Sequence, residues 1–138
     1  MTYLLDTDTL SQFSRGHVGV LTHVKETSPS EIAISSITLM EIEYGLALLG
    51  LTLQSAKVRK LRPILQAFFS AVTILPFDAQ CAKATAAIRA QLKTKGTPIG
   101  AYDALIAGTA LARGLIVVTG NTREYNRISG LIIENWIV

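Results

Sequence analysis

Five short apolar runs recur along the chain, at residues 2–5, 32–34, 72–77, 115–119 and 131–133, and the stretches between them repeat their apolar residues at helical spacing. No other feature constrains the fold as much. Strands joined by helical crossovers run parallel, and a parallel sheet needs cover on both faces, which is why its strands read as continuous apolar runs. The alternation therefore predicts an α/β protein, a three-layer α/β/α sandwich around a central parallel sheet. No repeat, linker or low-complexity tract interrupts it, and 138 residues suffice for one proper core, so residues 1–138 are read as a single domain.

The helices follow from their punctuation. Thr7 to Phe13 reads as a helical turn ending at Arg15-Gly16, and Val18 to Lys25 as a helix stopped by Ser28-Pro29-Ser30. A third helix starts at the Ser35–Thr38 junction and is expected to stop at Leu49-Gly50, where glycine serves as terminator. The fourth covers roughly Leu53 to Ser70, and Pro63 should kink or divide it. Asp78 is placed to cap the next, whose inner face carries Cys81, Ala84, Ile88 and Leu92. Residues 93–98 and 119–124 read as polar loops. Between them, Gly100 to Arg113 is apolar nearly all round, so it must be buried, and Asp103 is its only acid.

Composition sets outer limits. Hydrophobic residues make up 49% and charged residues 17%, which excludes general disorder and leaves apolar surface for a partner, notably at Leu46, Leu48, Leu49 and Leu51. No apolar run approaches the roughly 18 residues that span a bilayer and the start lacks a basic leader, so a cytoplasmic, non-membrane protein is expected. The single cysteine, Cys81, can form no internal disulfide and reads as a core residue. A net charge of +3 suits a polyanionic partner.

Three acids stand out by position. Asp6 closes the first apolar run, and Glu41 and Asp103 lie at the starts of helices, so in an open α/β sheet all three can face the crevice beyond the carboxyl ends of the strands. Carboxylates crowded together repel one another unless cations sit between them. Hard oxygen donors suit Mg²⁺ or Mn²⁺, and no Cys/His cluster supports zinc. Each acid also has a structural reading. Asp6 or Asp8 can cap the first helix, Glu41 can complete a Thr38-Leu39-Met40-Glu41 capping box, and Asp103 can complement a helix dipole, although a carboxylate in so apolar a helix is costly to bury. Glu43, His17 and His23 read as solvated surface groups, and Tyr102, Tyr125 and Trp136 as core or rim.

The segments Leu4-Leu5-Asp6-Thr7-Asp8-Thr9-Leu10-Ser11, Ser36-Ile37-Thr38-Leu39-Met40-Glu41-Ile42-Glu43-Tyr44-Gly45 and Ile99-Gly100-Ala101-Tyr102-Asp103-Ala104-Leu105-Ile106-Ala107 resemble a PIN domain of the VapC type. So do Thr119-Gly120-Asn121-Thr122-Arg123-Glu124-Tyr125 and the ending from Gly130 to Trp136. The resemblance implies a PIN sandwich and a toxin endoribonuclease of a bacterial toxin–antitoxin pair, with Asp6, Glu41 and Asp103 as catalytic acids holding Mg²⁺ or Mn²⁺. Asp8 stands where that family often has Asn, and could add a ligand. Asn121, with Glu124 nearby, stands where a fourth acid is frequent, which leaves one or two metals open. Thr7, Ser11, Asn121 and Glu124 would orient ligands or water. Single-stranded RNA is the implied substrate, tRNA being a common target, with cleavage by water to a 5′-phosphate and a 3′-hydroxyl. Arg15, Lys57, Arg59, Lys60, Arg62, Lys93, Lys95 and Arg123 are candidates for RNA-backbone contacts. A homodimer and a small antitoxin are the implied protein partners, docking on the helices over Ile37–Leu49 and Leu53–Phe69. Two alternatives stay open. Leu4 to Leu10 also resembles the nucleophile loop of haloacid-dehalogenase phosphatases, with Asp6 as nucleophile and Asp8 as general acid, and the chain could be a catalytically inactive PIN-like binding module.

Overall fold

A computed structural model describes residues 2–138. Strands β1 (Tyr3–Leu5), β2 (Ile32–Ser35), β3 (Thr73–Leu75), β4 (Ile116–Val118) and β5 (Ile132–Glu134) form one sheet in the order β3-β2-β1-β4-β5. Every pairing is parallel. The pleat divides each inner strand between two cores. Leu5, Ile32, Ile34 and Val118 point into one, beneath α1 (Thr7–Ser14), α2 (Val18–Glu26), α3 (Ser36–Leu51) and α4 (Ser55–Ala71). Leu4, Ala33 and Val117 point into the other, beneath α5 (Ala79–Thr94), α6 (Ala101–Arg113) and α7 (Thr122–Tyr125). The three-layer α/β/α sandwich expected from the alternation is therefore the observed architecture.

Chain order and strand order together fix where a ligand can sit. From β1 the chain steps outward to β2 and β3, then crosses back to β4 and β5 on the opposite side. The switch point of the sheet thus lies between β1 and β4, and their carboxyl ends deliver Asp6 and Thr119. The two ends are locked together, since Asp6 N–H donates to Val118 O at 3.0 Å and Thr9 Oγ1 donates to the same carbonyl at 3.0 Å.

Several local expectations need correction. Pro63 does not divide α4; the helix runs through it, with Pro63 on the exposed face while Leu61, Leu65 and Phe68 hold the inner face to the core. Gly50 does not stop α3, which continues to Leu51, and the left-handed residue beyond it is Leu53 at φ 62°. Residues 122–125 of the expected polar loop form the short helix α7. His23 is no free surface group. Its ring stacks on buried Trp136 at 4.9 Å, and His17 Nδ1 caps α2 by accepting from Val20 N–H. Asp78 caps α5 as expected, accepting from Cys81 N–H at 3.0 Å. The near-uniform apolarity of α6 has its reason in close packing on α5: a Cβ at Gly108 would sit 2.9 Å from Thr85 Cβ and 3.0 Å from the Cys81 carbonyl.

Candidate active site

The site is assembled from four places in the chain. Asp6 ends β1, caps α1 by accepting from Thr9 N–H at 2.8 Å, and is 3% exposed. The capping reading of Asp6 is thus borne out, and the cap leaves its carboxylate at the switch point of the sheet. Burial pushes its carboxyl above the ordinary 3.8, while the Thr119 hydroxyl and the Thr9 donors pull it back and the Asp8 charge adds to the rise.

Glu41 lies in the second turn of α3 rather than the first, and the capping box is not formed. Ser35 Oγ caps the helix by accepting from Thr38 N–H at 3.2 Å. Glu41 instead accepts from Thr7 Oγ1 at 2.6 Å, and the same hydroxyl lies 3.2 Å from Thr38 Oγ1. The α1 turn after Asp6 therefore fixes the direction of the α3 acid.

Asp103 stands in the first turn of α6, half-buried, with its pKa raised by burial first and then by the charges of Glu124 and Asp8. Two donors hold it. Tyr125 Oη donates to Oδ1 at 3.3 Å, and Asn121 Nδ2 reaches Oδ2 at 3.4 Å while donating more closely to Glu124 Oε2 at 2.5 Å. Tyr125 is itself fully buried. Burial, followed by the charges of Asp103, Asp6 and Glu41, holds its phenol far above the ordinary range, so it remains a donor.

Sequence reasoning missed Tyr125, Thr9, Thr38 and Thr119 as members of the site, and only the clustering of hydroxyl residues around the two acidic turns signalled them. Of the other candidates, Asp8 is exposed and leans towards Gly120, where its Oδ2 would lie 3.6 Å from an added Cβ. Ser11 makes no bond to Asp6 but lines a cavity of about 250 Å³ together with Thr7, Glu41 and Arg15. That cavity shares Ser14, Arg15, Leu49 and Leu61 with a second, of about 370 Å³, which Lys57 and Lys60 also line. Arg62 is paired with Glu43 by bonds of 2.7 and 3.0 Å, tying α4 to α3. Glu43 is correspondingly paired rather than freely solvated. Arg59, Lys93, Lys95 and Arg123 are exposed and line neither of these cavities.

Among the described residues no three His, Cys, Asp or Glu side chains are drawn together tightly enough to grip an ion unaided. The donor set still fits a hard cation of the magnesium type, which is bound through one or two carboxylates and retains several waters. Zinc, with its preference for closed nitrogen and sulfur shells, has no counterpart here.

A PIN domain model matches residues 3–131. The tRNA(fMet)-specific endonuclease VapC of Salmonella typhimurium is 44% identical over 117 residues, covering 83% of this chain and 84% of that protein. Ribonuclease VapC2 of Rickettsia felis is 36% identical over 138 residues, covering 99% of this chain and 98% of its own. Among solved structures, the DNA-bound VapBC of Salmonella typhimurium superposes with a TM-score of 0.86 at 39% identity, covering 99% of this chain and 98% of that one. The match along nearly the whole chain removes the haloacid-dehalogenase alternative.

Proposed function

Because the chain belongs to the PIN domain family, and within it to the VapC ribonucleases, we propose that it is a Mg²⁺-dependent endoribonuclease that cuts single-stranded RNA as the toxin of a toxin–antitoxin pair. The observation that carries this reading is the placing of acids at the switch point of the sheet: Asp6 follows β1, Asn121 beyond β4 reaches Asp103, and Thr7, next to Asp6, holds Glu41. In it, Asp6 and Asp103 are the principal ligands of the cation, Glu41 completes the set, and Asp8 and Glu124 stand at its margin. A bound Mg²⁺ or Mn²⁺ supplies Lewis-acid polarisation of a phosphodiester and of an attacking water.

The chain's own residues do the rest. Thr7 holds Glu41, Thr9 and Thr119 orient Asp6, and Tyr125 with Asn121 keeps Asp103 from turning away. Ligands fixed by such donors present a preformed set of charges. Arg15, Lys57 and Lys60, along the groove leading away from Glu41, suit contacts to phosphates, which position an RNA without reading it. The name of the Salmonella relative makes tRNA(fMet) the first substrate to try.

The solved relatives include toxin–antitoxin complexes, and an antitoxin fits the apolar outer surface of α3 and α4. Leu48 and Leu51 are exposed there, whereas Leu46 belongs to the core and is not available. A homodimer in the cytoplasm, where RNA is met, completes the proposal. Among the described residues no helix is long and apolar enough to cross a membrane.

Incubation of the purified protein with RNA tests the proposal. Cleavage in Mg²⁺ or Mn²⁺ that leaves 5′-phosphate ends and stops in EDTA is the expected result. Undiminished cleavage in EDTA would refute the metal role, and no cleavage of tRNA or unstructured RNA in either cation would favour an inactive binding module.

A further inference from the structure

The two helices that carry Glu41 and Asp103 each expose a tyrosine beside the acid. Tyr44 follows Glu41 by about one turn of α3 and is 64% exposed, and Tyr102 directly precedes Asp103 on α6 and is 50% exposed. A tyrosine ring is a large apolar surface with one polar edge, and leaving two of them bare in water gives up burial that the fold elsewhere exploits. Among the described residues neither ring pairs with another aromatic ring. Together with Met40 they wall a cavity of about 490 Å³ whose remaining lining is Thr7 and Glu41.

This cavity shares Thr7 and Glu41 with the cavity that Arg15 lines. Arg15, Lys57 and Lys60 line that cavity and the one continuous with it, while no Lys or Arg lines the cavity of the two tyrosines. Phosphates therefore find cationic partners in the first and none in the second. Flat, uncharged π-faces beside a carboxylate suit a nucleobase, and stacking on aromatic side chains is how single strands are held wherever their bases are splayed out.

We propose that Tyr44 and Tyr102 form a stacking subsite for one unstacked base of single-stranded RNA, adjacent to the phosphodiester held at the acids. The inference rests on the nuclease reading and deepens it. Every base has a π-face, so the subsite accepts any of them and favours purines through their larger stacking area. It thereby sets which bond of an exposed loop is cut without reading hydrogen-bond patterns.

The test uses the full chain and a single-stranded oligoribonucleotide with 2-aminopurine beside the cleaved bond. Binding should quench the 2-aminopurine. Tyr44→Ala and Tyr102→Ala should each raise KM by roughly 5- to 150-fold, the range that base–aromatic stacking corresponds to, with kcat little changed. Tyr44→Phe and Tyr102→Phe should stay near the parent, because the ring and not the hydroxyl carries the contact. An abasic ribose at that position should make the parent as poor as the alanine variants. Unchanged KM in both alanine variants, with cleavage intact, would overturn the subsite and leave the nuclease reading standing. Phenylalanine variants as damaged as alanine ones would overturn it too, as would a loss explained by conversion of a dimer to a monomer in sedimentation, which would assign the rings to a subunit contact. Quenching lost in the alanine variants of a protein that never cleaves would uphold the subsite and overturn the nuclease reading instead.

Discussion

Asp6 is the residue at which folding and chemistry pull in opposite directions. Its carboxylate is buried and its folded pKa stands above the ordinary 3.8. A raised acid pKa means that the folded state binds the proton more tightly than the unfolded one, so stability is lost as pH rises from the unfolded value through the folded one. In metal-free protein, Asp6→Asn should therefore melt at a higher temperature than the parent at pH 7, and at about the same temperature below pH 3.8 where both side chains are neutral. Asn caps a helix as well as Asp does, so the bond from Thr9 N–H survives. Thermal melts in EDTA at the two pH values check this. Asp8 makes the opposite case, being exposed at the rim. Asp8→Asn should keep RNA cleavage within about tenfold of the parent, whereas a general acid is worth ~10²–10⁴-fold, so a larger loss in kcat would promote Asp8 to the centre. Asp6 and Asp103 stood out in the sequence because one follows a strand and the other opens a helix, whereas Glu41 was read into the first turn of α3 and lies in the second. Tyr125 did not stand out, since nothing local to it distinguishes a buried phenol that donates to a carboxylate from one that only fills space.

At the scale of elements, the contact of α5 with α6 positions Asp103. Gly108 lets the two helices approach, and a side chain there must displace Thr85 and press on the Cys81 carbonyl. Gly108→Ala should cost about 1–3 kcal/mol in denaturant unfolding, the usual penalty of overpacking, and Thr85→Ala in the same protein should recover part of it. Recovery ties the loss to this contact rather than to helix propensity, which would favour alanine. The alternation of strands and helices was readable because a parallel sheet demands it. The helix ends were less so. Gly50 and Pro63 carry strong local preferences for ending or bending a helix, yet α3 and α4 run through both. Packing of Leu46, Leu65 and Phe68 into the core outweighs them. The exposed end of α3 at Leu51 and the left-handed Leu53 lie where no such packing dictates the path.

The whole molecule sets its acids at one end of the sheet and an apolar surface on the outer side of α3 and α4. Leu48→Glu combined with Leu51→Glu should prevent antitoxin binding and dimer formation in sedimentation while leaving the monomer folded by circular dichroism, because both side chains are exposed. Fold class was open to reading from the sequence because it depends on pattern. The surplus of leucine was visible in the sequence, but the exposed faces had to be seen to separate Leu46 in the core from Leu48 and Leu51 outside it. In the proposed function Asp6, at the junction of β1 and α1, together with Glu41 of α3 and Asp103 of α6, holds a divalent cation. Direct titration with Mn²⁺, followed by the loss of its free-ion electron paramagnetic resonance signal, measures this without any substrate. The parent should bind Mn²⁺, and Asp6→Asn and Asp103→Asn should each bind it at least about tenfold more weakly while remaining folded. Mn²⁺ binding by either variant with the affinity of the parent would contradict the account.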